Sequence, residues 1–323
     1  MERETALQSY HDAVAEKIEA FRSSMGKHLM EHSDYLENMV KSGMDLLGEQ
    51  MIKQKKEYVC FLYLSVLKTD LIARKYRVFL HGMDMRWYLD DEPAEAYMDA
   101  KELFEPFDRL WNVLEEENNG YGGMVSNYDI QNLLFEELPL MDSTICQILR
   151  YRLRDWEKNG TFDKVIRSPY WLLKWGEYRD RSEFLIQTDR VEKPDSAWKN
   201  ELKKAAHDPE KMVFSYWYKG KYQGKNPQNL DMRFITFEEC TLQDLKFENC
   251  NMEGSRFPKS KIVGCRFNGC NLSGADFRGC SFENTSFAGA ELTSAVLPAE
   301  SIPFLEISAE QLQVIQIYRE EQA

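Results

Sequence analysis

Apolar side chains recur at steps of three and four from the start of the chain: Leu7, Tyr10, Val14, Ile18, Phe21 and Met25, then Val40, Met44, Leu47 and Met51. That spacing lays them along one stripe of a 3.6-residue helix, so two long helices are predicted, with Ser23, Ser24 and Gly26 as the break between them. The denser run around Cys60, Tyr63, Leu64, Leu67 and Leu71 reads as a third, more deeply buried helix ending near Gly82. Pro93 fits the first turn of a fourth, running towards Glu117 and stopped by the glycine-rich segment 118–123. Further helices are expected over 127–137, 143–158 and 169–186, with a short one from Asp195 or Ser196 to near His207. Residues 1–211 therefore read as an α-helical bundle.

The pattern changes at Met212. Val213, Phe214, Tyr216, Trp217 and Tyr218 look like extended chain, and 219–228, with two glycines and a proline, reads as a join, so 212–230 is assigned as a junction.

From Phe237 to Leu297 every fifth residue is large and apolar, without a miss over thirteen positions. Two residues before each lies a second inward class of mostly small side chains, among them Cys240, Cys250, Ser260, Cys265, Cys270, Ala275 and Cys280. Two residues after, glycine recurs at Gly254, Gly264, Gly269, Gly274, Gly279 and Gly289. A period of five matches neither helix nor strand, so the backbone must turn a corner in every unit, and glycine relaxes the steric limits at corners. A coiled solenoid follows.

Cys270-Asn271-Leu272-Ser273-Gly274 and Ala275-Asp276-Phe277-Arg278-Gly279 resemble the units of the pentapeptide-repeat family, which read small, Asp or Asn, Leu or Phe, polar, and then a turn residue. The resemblance covers the last third of the chain and implies a right-handed, four-sided β-helix with four units per coil. Residues twenty apart would then stack at about 4.8 Å. Phe237, Phe257 and Phe277 would form one interior ladder; Phe247, Phe267 and Phe287 a second; Met252, Leu272 and Leu292 a third; and Leu242, Ile262 and Phe282 a fourth. Over 231–307 this gives three to four coils, about 18 Å long. An open solenoid end exposes unpaired strand edges, and Ser308-Ala309-Glu310-Gln311 reads as the capping box of a terminal helix over 308–323 carrying Leu312, Ile315 and Ile317. The expected fold is thus an α-helical bundle followed by a short β-solenoid with a capping helix.

Composition agrees with a globular chain, at 43% apolar and 13% aromatic residues. The net charge of −13 argues against wholesale binding to nucleic acid or anionic membranes. Residues 231–300 carry ten acids and seven bases, so the acidity is not concentrated in the solenoid. The longest apolar block, Tyr58 to Leu67, is too short to span a bilayer, and a cytoplasmic location is expected. Seven cysteines, five of them on inward repeat positions, fit a reducing compartment. Cys250 and Cys270 should stack one coil apart as buried thiols.

Candidate chemistry is sparse. His28-Leu29-Met30-Glu31-His32 fits the His-x-x-Glu-His spacing of a zinc peptidase, but nothing singles out a third ligand, and no metal or other cofactor is assigned. Residues 150–181 hold nine bases against five acids among aromatics, making Arg150, Arg152, Arg154, Arg179 and Arg181 candidate anion-binding residues. No phosphate loop or nucleophile elbow occurs.

The expected function is therefore non-enzymatic: a rigid solenoid platform joined to a helical domain that binds another protein. The family resemblance implies a bacterial origin and an alternative role as a DNA mimic acting on DNA gyrase. Mixed outward charges, with Lys246 over Arg266 and Arg256 beside Asp276, fit that role poorly. A second alternative is nucleic-acid binding through 150–181.

Overall fold

Two long helices open the chain, as their apolar stripes predict: α1 (Arg3–Glu31) and α2 (Ser33–Gln54). The break falls at His32 rather than at Gly26, which lies inside α1 with open space around it. The computed structural model describes residues 2–319. Its backbone divides into one unit ending at Ile186 and a second starting at Gln187.

The first unit is helical, with α3 (Lys68–Ile72), α4 (Glu105–Asn118), α5 (Asn127–Phe135) and α6 (Leu138–Arg152) besides α1 and α2, and it also contains a sheet. Its strands are β1 (Val59–Val66), β2 (Arg77–Met83), β3 (Ala94–Asp99), β4 (Arg167–Glu177) and β5 (Ser182–Asp189), in the order β3-β2-β1-β4-β5. β1 pairs antiparallel with β2 and parallel with β4.

Two segments expected as helices are thus mostly strands, and the helix expected from Pro93 begins only at α4, after a strand. The block around Cys60 to Leu64 is β1, Pro93 precedes β3, and 169–186 falls mostly in β4 and β5. A continuous apolar run reads alike in a buried helix and a buried strand; here alternation decides it. Leu62, Leu64 and Val66 enter the core with the helices, while Tyr63 belongs to a separate cluster with Met83 and Leu172.

The boundary between the units does not lie at residue 211. Helix α7 (Asp195–Ala205) buries Trp198, Leu202 and Ala205 in the same apolar cluster as the solenoid interior. Residues 212–230 are not a join either. β6 (Tyr216–Tyr218) and β7 (Lys221–Gln223) are already rungs, pairing in parallel with β8 (Thr236–Glu238) and β9 (Thr241–Gln243).

Above them the coil continues through β10 (Lys246–Glu248), β11 (Lys261–Val263), β12 (Arg266–Asn268), β13 (Ser281–Glu283) and β14 (Val296–Pro298). Helix α8 (Ala309–Val314) follows, and β15 (Gln316–Tyr318) pairs in parallel with β14. One face runs Tyr216, Thr236, Arg256, Asp276, Val296, Gln316 in unbroken parallel register. Five steps of about 4.8 Å make the solenoid roughly 24 Å long, longer than the repeat count implied, because the less regular units at both ends also stack.

Candidate functional site

The solenoid interior is built from the expected ladders. Phe237, Phe257 and Phe277 are fully buried, with consecutive ring centroids 5.6 and 4.6 Å apart and planes 14° and 7° apart. Phe247, Phe267 and Phe287 stack likewise at 4.9 and 5.1 Å. Met252, Leu272, Leu292, Leu242 and Ile262 are buried in the same cluster. Phe282 is half-buried, because beyond β13 the chain leaves the regular coil in a 3₁₀ turn at Ile302–Phe304.

The small inward positions do more than fill space. The side chains of Cys240, Ser260, Cys265, Cys280 and Thr285 each donate to the backbone carbonyl 23 residues earlier, those of Trp217, Phe237, Leu242, Phe257 and Ile262. Ser260 Oγ lies 2.8 Å from its acceptor and Thr285 Oγ1 3.0 Å. A short side chain carrying a donor thus meets a buried carbonyl one coil below. Burial pushes the Cys265 thiol up to about 11 and the Cys240 thiol up to about 12, so both remain protonated donors. All seven cysteines are free and buried. Cys250 and Cys270 do stack, sharing a thiol hydrogen bond that, with burial, raises Cys270.

The corners follow the same period. From Phe214 to Ser294 every fifth residue has positive φ, seven glycines and ten others. Glycine is required where the coil below intrudes: a Cβ on Gly254 would sit 2.7 Å from the Phe234 ring. Outside the tube, Asn251, Asn271 and Asp276 each accept the backbone N–H two residues on, and Asn271 Nδ2 donates to Asn251 Oδ1 at 3.2 Å.

The N-terminal end is closed, whereas at the C-terminal end Leu312, Val314 and Ile317 stay exposed. Trp198 of α7, fully buried, lies across the first coil with its ring 5.1 Å from Trp217, 5.7 Å from Tyr222 and 5.6 Å from Phe237. Beside it, Arg190 grips Glu238 through two hydrogen bonds of 2.8 Å, and Tyr216 donates to the same carboxylate. Burial alone would raise Glu238, but Arg190 and Tyr216 outweigh it and hold the carboxyl below its ordinary value. At the other end Ser308 and Gln311 form the capping box, and Gln311 Nε2 donates to the carbonyls of Phe287 and Ala290 at 2.9 and 2.6 Å. The helix stops at Val314, so Ile315 and Ile317 lie beyond it and β15 supplies the last rung. Residues 320–323 of the expected capping helix lie outside the described residues.

The candidate site is the outer surface of two adjacent faces. One is the four-stranded sheet β13-β11-β9-β7, presenting Lys221, Thr241, Lys261 and Ser281 in register. The other is the β10–β12 pair, on which Lys246 and Arg266 stack, both exposed. Of the acids in the first coils, Glu238 is buried against Arg190, Glu239 lies 3.7 Å from Lys219, and Glu248 accepts from Gln228. The exposed charge on these faces is more basic than the chain as a whole.

In the first unit the candidate arginines are dispersed. Arg150 pairs with Glu183 at 2.9 Å, and Arg152 with Glu37 at 2.6 Å and with Asp34. Arg154 lies over Tyr151, and Arg179 over Tyr88 and Tyr178. Arg181 lines a cleft and makes no ion pair among the described residues. His28 and His32 stack at 4.1 Å, with His28 Nε2 2.8 Å from Glu102 O and His32 Nδ1 2.8 Å from His28 O. Among the described residues no His, Cys, Asp and Glu cluster could hold a metal, and no helix is long and apolar enough to cross a membrane.

Comparison with known proteins places residues 228–277 with a family described as a pentapeptide repeat region, and residues 270–297 with pentapeptide repeats in 8 copies. Among solved structures, the chain is similar to Rfr23, a pentapeptide repeat protein from the cyanobacterium Cyanothece 51142: 21% identity, TM-score 0.23, 24% of this chain and 52% of that one. The chain thus spans about half the length of Rfr23. It is also similar to alr5209, a pentapeptide repeat protein from Nostoc Pcc 7120, at 14% identity and TM-score 0.30, over 39% of this chain and 97% of that one. Full-length QnrB1, a plasmid-mediated fluoroquinolone resistance protein, matches at 11% identity and TM-score 0.13, over 33% and 68%. No curated protein matches the chain.

Proposed function

We propose that this chain, whose residues 228–297 are a pentapeptide-repeat solenoid, is a non-enzymatic interaction protein that presents the faces of β7, β9, β11, β13, β10 and β12 to another protein. The observation that carries this reading is the combination of a stacked interior, a closed first coil and outer faces set in parallel register. Such a tube does not deform on binding, so a partner meets a pre-organised surface at little entropic cost. Lys221, Lys246 and Arg266 favour a partner whose contacting surface is acidic, while Lys261 is paired with Glu283 at 3.3 Å.

The same charges weigh against a DNA mimic acting on gyrase, which needs a continuous negative face. Nucleic-acid binding through 150–181 draws little support, since Arg150 and Arg152 are already engaged by carboxylates.

The test is affinity capture with the full chain and with a Lys246→Glu, Arg266→Glu variant. A specific protein retained by the first and lost by the second, with thermal midpoints unchanged, supports the reading. Capture indifferent to the charge reversal, inhibition of gyrase supercoiling, or turnover of a small molecule overturns it.

A further inference from the structure

The N-terminal unit holds an open cleft of about 410 Å³ between α6 and the β4–β5 hairpin, lined by Asp142, Ser143, Glu177, Arg181, Ser182 and Glu183 among others. Asp142 and Ser143 come from α6, Glu177 ends β4, Ser182 and Glu183 begin β5, and Arg181 stands in the turn between them. These residues are far apart in sequence and share no motif.

Their charges do not cancel. Glu177 is paired with Lys68 of α3, which also lies 4.0 Å from Asp180, and Glu183 is paired with Arg150 at 2.9 Å. Asp142 is 9% exposed and accepts only a neutral donor, Trp175 Nε1, at 2.7 Å. Burial, reinforced by Glu177 and Glu183 and opposed by Trp175 and Lys68, lifts its carboxyl from 3.8 to about 7. Cys146, one turn further along α6, is raised by its own burial and stays neutral. With Asp142 protonated, the exposed Arg181 lines the cleft as a cation with no ion pair among the described residues.

We propose that this cleft binds a small organic monocarboxylate, gripped by the Arg181 guanidinium and hydrogen-bonded by Asp142, Ser143 and Ser182. A guanidinium fork matches the two oxygens of a carboxylate, and the cleft is of small-ligand size. A dianion such as phosphate would also meet Glu177 and Glu183, whereas a neutral amide would gain nothing from the charge of Arg181. Binding is proton-linked: ionised Asp142 cancels Arg181 and repels the ligand.

The experiment is calorimetric titration of the full chain with benzoate, benzamide and inorganic phosphate at about pH 6 and pH 8. Benzoate is expected to bind at the lower pH and about tenfold more weakly at the higher, with benzamide and phosphate weaker than benzoate at pH 6. Arg181→Gln, a change at an exposed side chain, should weaken benzoate at least about tenfold with the thermal midpoint kept. Asp142→Asn should bind benzoate equally at both pH values. No saturation by benzoate up to about 10 mM at pH 6, equal affinity at the two pH values, benzamide binding as well as benzoate, or indifference to Arg181→Gln would each overturn the proposal.

Discussion

Phe257 and Phe277 lie ring over ring, centroids 4.6 Å apart and planes 7° apart, twenty residues distant in sequence and one coil distant in space. Both are fully buried, so each ring is a neighbour's packing surface as well as a hydrophobic side chain. Phe257→Ala leaves a cavity between two rings that the rigid coil cannot collapse. The expected loss is about 3–5 kcal/mol, read as a lower denaturation midpoint of the solenoid. A loss under about 1 kcal/mol would show that the ladder is not packed as described.

At the corner of the next face, Gly254 has a φ of 64° and faces the Phe234 ring. Gly254→Ala should destabilise by about 1–2 kcal/mol from backbone strain and contact with that ring together. Adding Phe234→Ala should recover the contact part and leave the backbone part. If the double variant is no more stable than the sum of the two single changes predicts, the clash is not the cause.

Trp198 closes the first coil with a side chain from a helix outside the repeats. Trp198→Ala should cost about 3–5 kcal/mol and expose Trp217, Tyr222 and Phe237 to water, visible as a red shift in tryptophan emission. An unshifted spectrum with an unchanged midpoint would mean that the helix is not the cap.

Arg190 and Glu238 give an acid-side prediction. Glu238 titrates below its ordinary value of 4.5 in the folded chain, so its contribution to stability is present above that value and is lost as pH falls through the lowered folded value. Arg190→Ala reverses this. The stranded buried carboxylate costs about 3–5 kcal/mol at neutral pH, and the penalty shrinks as acid protonates it. Urea midpoints of both proteins from about pH 4 to pH 7 should therefore converge towards the acid end.

Asp142 has the opposite sign. Below its ordinary 3.8 both folded and unfolded chains hold the proton; from there to about 7 only the folded chain does, so stability falls as pH rises through this window. Asp142→Asn keeps an oxygen for Trp175 and loses the titration. The variant should match the parent near pH 4 and exceed it near pH 8, and parent and variant falling in parallel would refute the burial argument.

Much of the second unit was legible because its repeat is local. A side chain every fifth residue, from Phe237 to Leu297, needs only a corner per unit to become an inner column, and the twenty-residue stacking of Phe247 on Phe267 then follows from coil closure. The true start was missed because Pro227 interrupts the series of large apolar positions between Tyr222 and Met232, although Trp217 and Tyr222 lie on the same period, twenty residues before Phe237 and Leu242. The hydrogen-bonding role of Cys240 or Thr285 was hidden for a different reason, since it depends on a carbonyl 23 residues away.

In the first unit, sequence alone determined where apolar side chains are concentrated and that α1 and α2 are helices, because a 3.6-residue stripe has one reading. Tertiary structure decided that Val59–Val66 is a strand, because an unbroken apolar run is compatible with either form until hydrogen-bonded neighbours such as β2 and β4 exist. It also decided the charges. Arg152 looked like a free cation in a basic stretch and became the partner of Asp34 and Glu37, more than a hundred residues earlier. Periodicity is a property of neighbouring residues and survives in one dimension; burial, pairing and the proton on Asp142 belong to groups that meet only when the chain has folded.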